Sequence, residues 1–229
     1  MLGHILRHES QRDDIQTGGG IVSGNSVRYD YRTGRNALGV SVFYGGRTKG
    51  KKECFLLLLN PDKTADIQWL ENAADCALDP NGSGKSMVRA VLNLARQRGA
   101  RSIALMDTSK KTLANNKGFR LSNMYFLTTG QTWYESLIPG LYPQEKEDKV
   151  ALWRQKVQTN TWEDVHRQLG DISIPVDISD IDASQPGSAM IVLRRIKEAG
   201  GDFFAEHEDD LLLASGIGNL HGLSWEAPL

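Results

Sequence analysis

The chain has 229 residues, 40% of them hydrophobic and 24% charged, the composition of a globular protein and not of a disordered one. Lys and Arg number 27 against 28 Asp and Glu, so the net charge is -1 and the pI about 6.5; that balance gives no electrostatic reason to expect nucleic acid or an anionic membrane as a partner. The apolar run Phe55–Leu59 falls far short of the roughly 18 residues that span a bilayer, and two cysteines, Cys54 and Cys76, are too few for a disulfide framework, so a reducing, intracellular (cytoplasmic) setting is expected.

Residues 1–25 mix charge with Gly18-Gly19-Gly20 and show no apolar period. They are expected to form a flexible leader, and Met1–Arg7 lacks the sustained apolar stretch of a secretory signal. From Ser26 the period is two: Val27, Tyr29 and Tyr31 alternate with Arg28, Asp30 and Arg32, and a second run carries Leu38, Val40, Val42 and Tyr44, which predicts a hairpin. Cys54–Leu59 is continuously apolar and reads as a central strand covered on both faces. Asp66–Leu70 alternates as a fourth strand, completing an antiparallel meander. Met87, Val88, Val91, Leu92 and Ala95 then recur at helical spacing and stop at Gly99, and Ser102–Met106 follows as a buried strand ending at Asp107. A helix so closely followed by a strand implies a crossover packed on the sheet. Leu121–Glu135 reads as helical although Thr128-Thr129-Gly130 weakens it. Beyond the charged stretch Glu145–Lys149, Val150–Leu169 and Ser188–Ala199 are expected helices. The organisation is therefore a leader at 1–25, an α/β (α+β) domain at 26–142 and a mostly helical C-terminal extension at 143–229, with no internal repeat.

The sharpest local feature is Asp79-Pro80-Asn81-Gly82-Ser83-Gly84-Lys85-Ser86, a glycine-rich turn opening into a helix. N–H groups at a helix start have no helical partner, and the macrodipole makes that end partly positive, so such a turn can hold a phosphate or pyrophosphate. The same residues serve equally well as a plain helix start with Ser83 near the cap. A P-loop fits Gly84-Lys85-Ser86, but the pattern wants glycine where the chain has Asp79, and the preceding Asn72–Cys76 is not a buried strand.

The order of elements, meander, glycine turn, amphipathic helix, buried strand and a further helix ending in an aromatic pair, resembles the GNAT acyltransferase superfamily. Gly82-Ser83-Gly84 stands where that family has its G-x-G/A, and Gly130–Ser136, with Trp133-Tyr134-Glu135, resembles its late-helix segment; this stretch also looks like GNAT-like proteins of large DNA viruses. The resemblance covers about Ser26 to Tyr142. It implies a GNAT-like mixed sheet with a central helix-strand crossover, and N-acyltransfer from acetyl-CoA to an amine. Gly82, Ser83, Gly84 and Lys85 would contact the pyrophosphate, the first three mainly through backbone N–H groups. Asp79 replaces the family's usual Gln or Arg, and only Thr33–Asn36 separate the first two strands, leaving no room for the family's helices there. These departures support two alternatives: a non-catalytic structural or interaction protein of the same fold, and a P-loop-like nucleotide-binding protein.

Acyl transfer to an amine needs a neutral amine, an oxyanion donor and a proton for the departing thiolate. Tyr134 is the candidate acid, and its alternative is core packing beside Trp133. Glu71, ending the strand before the turn, is the candidate base for the amine, against a solvated strand-end charge. No pair among His4, His8, His166, His207 and His221 has metal-ligand spacing, so no metal is expected, and His207 reads as part of a solvated acidic patch. Cys54 reads as a packed thiol. Asp107-Thr108-Ser109 ends a central strand, a place for ligands in open sheets and equally for a cap. Trp153, Trp162 and Trp225 predict that the extension packs on the first domain, on a protein partner or on itself.

Overall fold

The computed structural model describes residues 18–36, 39–45, 54–70, 76–79 and 81–229. The protein is mixed α/β, as the pattern of periods predicts. It divides into two compact units, one ending at Ile103 and joined by Leu229, the other running from Ala104 to Pro228. The division falls well before the composition change near Pro139-Gly140.

In the first unit, β1 (Gly18–Gly24), β2 (Val27–Arg35), β3 (Ser41–Gly45), β4 (Phe55–Leu59) and β5 (Thr64–Leu70) pair in succession, each antiparallel to the next. The expected meander is thus one strand longer. Gly18–Gly24, expected within the flexible leader, is a full ladder partner of β2, with Gly18 opposite Thr33 and Gly24 opposite Val27. Residues 1–17 lie outside those described. The period of two in β2 has the expected meaning: Val27, Tyr29 and Tyr31 are buried while Arg28 and Arg32 are exposed. In β4, Phe55 and Leu57 are fully buried, but Leu56, Leu58 and Leu59 stay half-buried, so its second face is less covered than its composition implies.

Helix α1 (Gly84–Gln97) packs on β1, β2, β4 and β5 through Met87, Val88, Val91, Leu94 and Ala95, and ends in a Gly99 at φ 80° that only glycine adopts without strain. The close approach of β1 to α1 needs Gly24: a Cβ there would strike the Ser86 carbonyl oxygen and lie 2.5 Å from the Ala90 nitrogen. The chain then enters β6 (Ser102–Met106) and passes into the second unit.

The second unit opens with a hairpin of β7 (Lys110–Thr112) and β8 (Gly118–Arg120), followed by α2 (Leu121–Thr129). The helix stops at Gly130, φ 75°, where the threonine pair weakens the pattern, so Trp133 and Tyr134 lie in a turn beyond it. β9 (Tyr142–Pro143) precedes α3 (Glu147–Thr159) and α4 (Trp162–Leu169). The single helix expected over Val150–Leu169 is therefore two. Asn160 is held extended between them by bonds its neighbours supply: its amide donates to the Ser215 carbonyl at 2.9 Å and its carbonyl accepts from Gly187 N–H at 3.1 Å. Thr161 then caps α4 by accepting from Asp164 N–H. Helix α5 (Ser188–Ala199) has the expected bounds, α6 (Asp202–Ala214) follows, and β10 (Ser224–Pro228) pairs antiparallel with β9. Phe119, Phe126, Leu127, Ile138, Phe204 and Trp225 form this unit's core; Trp162 is buried too, so these tryptophans serve the unit's own interior.

Candidate functional site

Two places carry chemistry, one in each unit. In the first, the glycine turn is fastened before it reaches α1. Leu78 N–H donates to the Arg28 carbonyl at 2.8 Å, and Arg28 returns three donors to Asp79: its N–H at 2.7 Å and Nη2 at 2.9 Å, with Nε at 3.2 Å. The Arg28 guanidinium and N–H hold the Asp79 carboxyl below its ordinary range. Asp79, the departure from the expected motif, is thus a neutralised anchor that ties the turn to β2.

At the helix start, Ser83 and Ser86 form a reciprocal cap: Ser83 N–H donates to Ser86 Oγ at 2.9 Å, and Ser86 N–H donates to Ser83 Oγ at 3.2 Å. Ser86 is buried and shares a 2.6 Å hydrogen bond with the Tyr29 hydroxyl. This changes the roles expected in the turn. Ser83 N–H, expected to face a pyrophosphate, is spent on Ser86. A Cβ at Gly82 would lie 2.5 Å from the Ala77 side chain, which is by itself a packing reason for glycine there. Gly84 and Lys85, the first two residues of α1, retain N–H groups that the helix cannot satisfy, and Lys85 is exposed. Glu71 lies outside the described residues.

The segment ahead of the turn holds a further correction. Cys54, expected to be a packed thiol, is disulfide-bonded to Cys76, with Cα atoms 5.7 Å apart and both residues buried. No sequence cue pairs two cysteines 22 residues apart; the antiparallel return of β5 brings them together. The bridge withdraws the basis for a reducing, intracellular setting, since such bonds persist in oxidising surroundings. Among the described residues no helix is long and apolar enough to cross a membrane.

In the second unit the focus is Asp107, directly after β6. Its backbone bonds Leu223 and Gly222, N–H to carbonyl at 3.0 Å and carbonyl to N–H at 2.7 Å. Its side chain is fully buried: Oδ1 accepts from Ser109 N–H at 3.1 Å and Ser109 Oγ at 2.5 Å, while Oδ2 has no partner among the described residues. Burial pushes this carboxyl up to about 6, against the Ser109 bonds and with help from the negative charge of Glu135. Tyr134 is also buried, its ring edge-on to Trp133 at 4.9 Å, and no described residue bonds its hydroxyl. Burial raises its phenol well above the ordinary value, and the nearby Asp107 charge raises it further. The structure therefore brings Tyr134 together with Asp107, a strand-end residue visible in the sequence, and with Glu135, which was not singled out. Gly82–Lys85 and Tyr134 belong to different units. The phenol, fixed in its protonated form, can donate a hydrogen bond, and the carboxyl, titrating close to neutrality, can take up or release a proton.

No family model, no curated protein and no solved structure matches the chain.

Proposed function

We propose that the protein transfers an acyl group, acetyl by resemblance, from a CoA thioester to an amine. The observation that carries this reading is Tyr134: a buried phenol, held neutral, with a hydroxyl that no described residue engages. When the amine attacks the thioester carbonyl carbon, the C–N bond forms, the C–S bond breaks and CoA leaves with charge accumulating on sulfur, which takes up the proton that the nitrogen loses and departs as the thiol. A fixed phenol stabilises that charge by donating a hydrogen bond, and the same dry surroundings that raise the phenol's pKa strengthen the bond. The element order of the first unit supports the reading.

A thermal-shift titration tests it. Acetyl-CoA and CoA raise the unfolding midpoint and Mg-ATP does not, because only a ligand selective for the folded state stabilises it. Tyr134→Phe then lowers kcat with little change in CoA affinity. A protein indifferent to every CoA ligand would remove this reading in favour of a non-catalytic protein of the same architecture, which the use of Ser83 N–H inside the cap already favours. Stabilisation by Mg-ATP alone would favour the P-loop alternative, although Cys76–Asp79 form no strand ahead of the turn.

A further inference from the structure

The turn that carries Tyr134 is held by more than its own sequence. Thr132 N–H donates to Glu135 Oε2 at 2.7 Å and Glu135 N–H donates to Thr132 Oγ1 at 3.2 Å, a knot that encloses Trp133 and Tyr134. Arg154, on α3, fastens that knot from outside: Nη2 donates to Glu135 Oε1 at 2.6 Å and Nε to the Gly130 carbonyl at 2.8 Å. One planar guanidinium thus brackets the chain on both sides of Tyr134, with its stem against the Gly130 backbone and its charge 5.8 Å from the centre of the Phe126 ring. The Glu135 side chain is only 10% exposed, so without Arg154 its charge would stand buried near Asp107 and Tyr134.

We propose that Arg154 is a positioning residue for Tyr134, and that α3 of the C-terminal extension completes the part of the site that donates a hydrogen bond to the departing sulfur. The step it serves is the one under the acyl-transfer reading, on which the proposal rests: the phenol must meet the departing sulfur in one orientation. Arg154 supplies the orientation by removing the turn's freedom, and it cancels the Glu135 charge.

The test separates this proposal from the reading beneath it. After a stopped-flow jump to high pH, absorbance at 295 nm follows phenolate formation, and a phase missing in Tyr134→Phe belongs to Tyr134. In the double variant Arg154→Ala, Glu135→Gln no new charge faces the phenol, and the loosened turn lets Tyr134 ionise about tenfold faster or more. Arg154→Lys keeps the charge but cannot reach Gly130 and Glu135 together, so it falls between wild type and the double variant; it also serves where the double variant does not fold. With acetyl-CoA, both lower kcat while the CoA dissociation constant stays within about twofold. An unchanged Tyr134 phase in the double variant, or in Arg154→Lys where that alone folds, overturns the positioning role whatever the activity. A wild-type protein that neither binds acetyl-CoA nor transfers its acetyl group defeats the acyl-transfer reading, while the absorbance phase still decides whether Arg154 orders the turn.

Discussion

Replacing Asp107 by Asn isolates the cost of its buried charge. Asn keeps an oxygen for the two Ser109 donors and removes the ionisation. In the folded protein the carboxyl titrates near 6 and in the unfolded chain near its ordinary 3.8. Between those values the folded state holds a proton that the unfolded state has released, so stability falls as pH rises through the window and stays lower above it. A gap of roughly two units at about 1.4 kcal/mol each gives about 3 kcal/mol, present below pH 4 and lost above pH 6. For a chain of this length that corresponds to about 6–12 °C in the unfolding midpoint. The amide nitrogen of Asn lacks a partner at the Oδ2 position and costs about 1–3 kcal/mol at every pH. The decisive quantity is therefore the change in the difference between the two proteins, which cancels that constant and every carboxyl they share. Thermal and urea unfolding of wild type and Asp107→Asn at pH 4 and pH 7.5 should show the variant gaining about 3 kcal/mol relative to wild type across the interval. Parallel pH profiles would mean that Asp107 is hydrated or paired in solution, and the acid-base pairing with Tyr134 would lose its footing.

The remaining predictions concern the first unit. Denatured but unreduced protein should present no thiol and reduced protein two, and replacing both Cys54 and Cys76 by Ala should cost about 3 kcal/mol for a closed loop of this size; two thiols without reductant would refute the bridge. Gly24→Ala should cost about 1–3 kcal/mol in urea unfolding, because its Cβ meets the backbone of α1 and not a side chain that could swing away. An unchanged midpoint would show β1 free to lift from α1.

Where a residue's neighbours in sequence decide its structure, the pattern is readable. β6 and α5 end at the expected residues because an apolar run and an amphipathic stripe are bounded by their own turn residues. The misreadings share one cause. Gly18-Gly19-Gly20 signals freedom to a local rule, yet a ladder to Tyr31–Thr33 removes it. Asn160 breaks a promising helix because Ser215 and Gly187, far along the chain, compete for its polar groups.

The same distinction runs through the chemistry. The glycine turn is legible as a helix start, but the residue that decides which N–H groups stay available is Ser86, whose capping role is local, together with Tyr29, whose support is not. Asp107 shows the harder case. Its Asx-type bond to Ser109 is the ordinary explanation for an Asp at the end of a strand, and that bond is present. What the bond does not explain is the second carboxylate oxygen, buried and without a partner among the described residues, where the rules for surface charge do not reach. Glu135 and Arg154 make the point from the other side: each reads as a surface charge on its own segment, and only their 2.6 Å contact turns them into the frame around Tyr134. A residue that breaks the local rules is therefore the one that those rules describe least well, and its burial is where a functional hypothesis starts.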